Sequence, residues 1–99
     1  MTETRREVGE NAWVEFKATG YPFSLRKKLA EAKDDTAVLE IVLGYIVALD
    51  LPTLDGKRLT IAHSIDDLAN VDEQICVNII WKFYDFRADR QREPLPKNS

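Results

Sequence analysis

Cysteine occurs once in the chain, at Cys76, so neither an internal disulfide nor a thiolate metal cluster can form. Histidine also occurs once, and His63 alone cannot build a metal site or a proton relay without company. The four glycines, Gly9, Gly20, Gly44 and Gly56, are scattered, so no glycine-rich phosphate loop exists. Long apolar runs are missing too. The most apolar stretch, 37 to 49, is interrupted by Glu40 and falls short of the roughly 20 residues that span a bilayer. The opening MTETRREVGEN is polar throughout and lacks the apolar core of a signal peptide. An excess of positive charge is absent as well: the formal net charge is −3, which disfavours a binder of nucleic acid that relies on clustered cations. From these absences a soluble, intracellular protein is expected, and no cofactor or metal is implied.

What is present is apolar residues at helical spacing. A 99-residue chain with 44% apolar and 31% charged residues fits one globular domain that needs no staples. Residues 1 to 11 have little to bury and are expected to form a flexible arm. Trp13 to Lys17 is rich in strand formers, although Trp13 and Val14 break the alternation. Gly20 marks a turn and Pro22 suits a first helical turn. A first helix is expected over 22 to 33, with Leu25, Leu29 and Ala32 on one face, Phe23 turned inward and Arg26, Lys27 and Lys33 in water. Asp34 and Asp35 then cap a second helix, because a short side-chain oxygen accepts from a free backbone N–H.

The second helix is expected over 36 to 49. At ~100° per residue its apolar residues cover an arc of roughly 240°, far wider than a surface helix needs. Pro52 ends it, and Asp55-Gly56 is a turn signal before a short strand over 57 to 61. That strand is expected to pair with the segment at 13 to 17. Ser64 to Asp67 has the form of a capping box with Asp for Glu, opening a short helix near 65 to 69. A long helix follows over 71 to 88, with Asn70 as its cap. Ile75, Ile79, Phe83 and Phe86 form its inner stripe, and Val77, Ile80, Trp81 and Tyr84 a second one. Residues 89 to 99 are polar and proline-rich and are expected to be a flexible tail.

The fold expected from this pattern is mainly α: a single-domain bundle of three to four helices over 12 to 88, with at most a two-stranded β element at 13–17 and 57–61. Little in it points to catalysis. Asp66 and Asp67 beside His63 are explained as caps, and Cys76 on an apolar face acts as a small hydrophobe. The pairs Asp34-Asp35 and Asp66-Asp67 point apart on a helix and cannot share a proton. Arg26-Lys27-Lys28 beside Tyr21 and Phe23 mimics a nucleic-acid patch, but Glu31, Asp34 and Asp35 follow at once. The apolar surface stands out. Either one wide-arced helix is simply central, or a stripe faces a partner. The candidate partner-binding residues are Leu39, Leu43 and Val47 on one helix, and Val77, Ile80, Trp81 and Tyr84 on the other.

The order of an aromatic-led segment, GYPFSLRKKL, an acidic DD before an apolar helix, LDLPTLDGKRL and a closing IIWKFYDFRADRQREPLPKNS resembles the small tail assembly chaperones of long-tailed bacteriophages. The resemblance covers residues 13 to 99. It implies a mainly helical, non-enzymatic protein of the host bacterium's cytoplasm. Such a protein binds the helical tape measure protein and copies of itself, with the tail tube protein as a further candidate partner, helps tail tube assembly, and is absent from the finished virion. It also implies a longer form made by programmed frameshifting, with which the codons of Pro96-Lys97-Asn98 are compatible. The family offers no catalytic residues. The charged stretch 87 to 93 departs from its more apolar helix end. A virion connector subunit and a small DNA-binding regulator are the alternatives, and neither a small-molecule substrate nor a membrane is implied.

Overall fold

The computed structural model describes residues 2–92. The chain runs β1 (Arg5–Gly9), β2 (Ala12–Phe16), α1 (Ser24–Glu31), α2 (Asp35–Leu43), β3 (Ile46–Pro52), β4 (Arg58–Leu59), a 3-10 turn (Ile65–Leu68) and α3 (Glu73–Arg92). The four strands form one antiparallel sheet in the order β1-β2-β3-β4. The fold is therefore α+β, which corrects the expected helical bundle: α3 packs on β1 and β2 of the sheet as well as on α2, and the end of the expected second helix is itself a strand of that sheet.

The strands at 13–17 and 57–61 do form, as β2 and β4, but they do not pair with each other. Each lies against β3, with Val14 opposite Leu49 and Leu51 opposite Leu59. The helix expected over 36 to 49 accordingly stops at Leu43, and the chain turns through Gly44-Tyr45 into a strand. Tyr45, Ile46 and Val47 are aromatic or β-branched, types whose side chains sit well on a pleated surface. β1 replaces the expected flexible arm over 5–9. It is joined to β2 through a turn at Asn11, whose φ of 54° is one that asparagine tolerates better than most residues. The tail expected over 89 to 99 is helical as far as Arg92, and the remainder of that stretch lies outside the described residues.

Alternation along β2 sends Ala12, Val14 and Phe16 inward and leaves Trp13 and Glu15 on the opposite face. The uneven pattern at Trp13-Val14 is thus a two-sided strand: the Arg5 guanidinium covers the Trp13 ring, 3.8 Å from its centroid. Helices α2 and α3 pack together, and α3 lies across β1 and β2 on the inner face. Phe16 meets both Phe83 and Phe86 with ring centroids 5.3 Å apart, and Leu25, Val42, Leu51 and Ile79 complete the buried centre. Each such side chain contributes about 1.5–3 kcal/mol by leaving water.

The helix starts follow local chemistry. The Asp34 carboxylate accepts from the Ala37 N–H at 2.8 Å, the expected cap. The Ser64–Asp67 capping box is also present. For α3 the cap is Asp72, which accepts from the Gln74 N–H at 2.8 Å, in place of the expected Asn70. Two polar contacts then fix α3 onto the edge strand: Asn78 donates to the Val8 carbonyl at 2.9 Å, and Arg6 pairs with Asp89 at 3.0 Å.

Candidate partner-binding surface

The seven candidate contact residues separate into three environments. Leu39, Leu43 and Ile80 are buried in the core and leave the candidate surface. Leu39 and Leu43 belong to α2's inner side, and Ile80 shares α3's buried face with Ile79 and Phe83. Val77, Trp81 and Tyr84 remain together on α3. They sit at i, i+4 and i+7, so they share one side of the helix. Val77 is half-buried, whereas Trp81 is 64% exposed and Tyr84 38%.

Val47 stands apart from both groups. Glu15 pairs with Ala48 while Phe16 pairs with Ile46, so Val47 is the extra residue of a β-bulge and is turned outward, 61% exposed. It borders an open cleft of about 540 Å³ between β3 and residues 60–63. The cleft exists because β4 pairs with β3 only at Leu51 and Pro52. Beyond that point the chain diverges, leaving residues 46–50 without a strand on that side among the described residues. Ile61, exposed on the opposite wall, was not among the candidates. A single isoleucine in the segment TIAHS gives no periodic signal that separates an outward residue from a strand's inward one.

A third region lies where α1 meets the end of α3. The rings of Tyr21 and Tyr45 stack at 4.9 Å, and both approach Phe83. The Tyr21 hydroxyl donates to the Lys17 carbonyl at 2.8 Å, and the Arg90 guanidinium lies 4.3 Å from the Tyr21 ring centroid. Burial pushes the Tyr21 phenol up to about 12, although the Arg90 charge opposes the rise. Phe23, expected to turn inward, is instead 83% exposed, with Arg26 beside its ring. The helix starts at Ser24, after Phe23, so the inward positions of α1 fall to Leu25 and Leu29.

The titratable groups singled out in the sequence hold structural positions. Asp67 accepts from the backbone N–H groups of His63 and Ser64 at 2.8 and 3.2 Å, and the His63 bond, then the Ser64 bond, lowers its carboxyl below the usual range. Asp55 is likewise lowered, chiefly by the Thr53 hydroxyl within the turn. The Cys76 thiol is half-buried, and its pKa is raised first by burial and then by Asp72. Its thiol stays protonated and weakly nucleophilic at neutral pH.

Comparison with protein-family models, curated proteins and solved structures yields no match. Among the described residues no group of three or more histidine, cysteine or acidic side chains is arranged to hold a metal ion. No described helix is long and apolar enough to cross a membrane. The described surface presents three features: an aromatic stripe on α3, an open strand edge at β3, and a basic, aromatic corner at α1.

Proposed function

We propose that this protein is a non-catalytic assembly chaperone of the kind that serves long-tailed phage tails. It binds a helical segment of the tape measure protein in the cytoplasm of the infected bacterium and supports tail tube assembly. The observation that carries this reading is the exposure of Trp81 and Tyr84, nearly one turn apart on a helix whose intervening Phe83 is buried. Large aromatics side by side on a rigid helix are the usual anchors of protein interfaces. Val77 extends the stripe by another turn, giving an apolar strip that a partner helix can lie along.

The proposal leaves Leu39, Leu43 and Ile80 to the core, so the contact is carried by one helix in place of two. The test is co-purification of the full chain with fragments of a tape measure protein. Trp81→Asp should abolish capture while the near-ultraviolet signature of the core stays in place. Capture undiminished by Trp81→Asp and Tyr84→Asp together would sink the proposal. Mass spectrometry of purified particles addresses the second half: a chaperone is missing from them, whereas a connector subunit is retained.

A further inference from the structure

The corner between α1 and the end of α3 gathers cations without counter-charges. Arg26, Arg87 and Arg90 line one cleft of about 230 Å³ together with Tyr21, Phe23 and Gln91. Among the described residues none of these three guanidinium groups forms an ion pair, whereas Arg6, Arg58 and Arg92 each do. A second cleft, which shares Pro22 as a wall, is lined by Lys17, Lys28 and Tyr45. No carboxylate lines either one. Five cations thus face two adjoining clefts in a chain whose formal net charge is −3. Charges of one sign held close together repel unless an anion enters between them.

The geometry also limits what enters. The arginine cleft lies below the ~300 Å³ at which small-molecule pockets begin, so it takes one group and not a whole ligand. Guanidinium forks match planar oxyanions such as carboxylate two bonds at a time. A long polyanion fits poorly. Its phosphates need a continuous basic track, and Glu31, Asp34 and Asp35 stand next along the chain. The exposed Phe23 ring at the rim offers apolar contact to a neighbouring side chain.

We propose that this paired cleft binds an acidic segment of a protein partner, one carboxylate held by Arg26, Arg87 and Arg90 and a nearby one by Lys17 and Lys28. This deepens the chaperone reading, on which the identity of the partner rests, by giving the partner a second point of contact with a defined charge.

The experiment is isothermal titration of the full chain with a short synthetic peptide carrying spaced glutamates, and with its glutamine counterpart. The glutamate peptide should bind at least about tenfold tighter, with affinity falling as salt rises. Arg87→Gln and Arg26→Gln should each reduce binding by a similar factor. Arg87→Lys, which keeps charge but not the fork, should recover part of it. Equal binding of the two peptides, or unchanged binding in both glutamine variants, overturns the proposal. So does tighter binding of a short oligothymidylate, or binding of inorganic phosphate alone. Trp81→Asp should leave the glutamate peptide bound as before. An unmutated chain that captures the tape measure fragment but does not bind the glutamate peptide would strike this proposal alone, and an unmutated chain that binds the peptide but captures no fragment would strike only the chaperone reading.

Discussion

Helix α2 buries Val38, Leu39, Val42 and Leu43, while the longer α3 buries Ile79, Ile80, Phe83 and Phe86 and still holds Trp81 and Tyr84 in water. Both helices have apolar arcs of similar width in the sequence. The difference is supply. α2 is short and is packed against α3 and, more lightly, against α1 and the 3-10 turn. α3 is 20 residues long and covers β1, β2 and α2 with one side only. A wide arc on a short helix is absorbed by its neighbours, whereas on a long helix at the edge of a two-layer fold part of it is left over.

That contrast is broken most severely by Leu43→Asp. An unpaired carboxylate at a buried site on α2 is not tolerated, and we expect loss of the cooperative unfolding transition in circular dichroism. Phe83→Ala on α3 empties the centre of the aromatic cluster. It should lower stability by about 3–5 kcal/mol in denaturant titration. The caps compare the two helices at their starts: Asp34→Ala and Asp72→Ala should each cost about 1 kcal/mol by the same assay. Trp81→Asp is the smallest in stability, within roughly 0.5 kcal/mol, although it removes the proposed partner contact.

One further comparison is between pH ranges. The folded Tyr21 pKa is raised to about 12 from an ordinary 10.0. Its contribution is therefore complete below the unfolded value and is lost as pH rises through the folded one. Ultraviolet titration should show one phenol ionising about two units late, and Tyr21→Phe should remove that late step.

Much of the local structure was legible in the sequence. Asp34, the Ser64–Asp67 box and the stripe Leu25-Leu29-Ala32 each follow from interactions within a few residues, and each is found in place. Pairing was not legible. β3 reads as a continuation of α2 because residues 36–49 satisfy a helical period, and only the sheet that receives Leu49 and Leu51 makes the extended form better. β1 was hidden for the opposite reason. Its sequence RREVG buries one apolar residue, Val8, and its other inward position is Arg6, satisfied by Asp89 and the face of Phe86. Of the candidate surface, Trp81 and Tyr84 were legible because their spacing alone puts them together. The arginine corner was not, since it needs Arg26 and Arg87 to meet across the fold.

The bond from Asn78 to the Val8 carbonyl joins residues 70 positions apart, and Phe16 likewise waits for Phe83 and Phe86. At a synthesis rate of ~5–20 residues per second, residues 5–16 are made roughly 4 to 14 s before the α3 residues that meet them in the fold. During that interval Val14 and Phe16 lack the helix that buries them in the finished fold. The order of synthesis thus sets the inner face of the first two strands well ahead of α3, the helix that covers it.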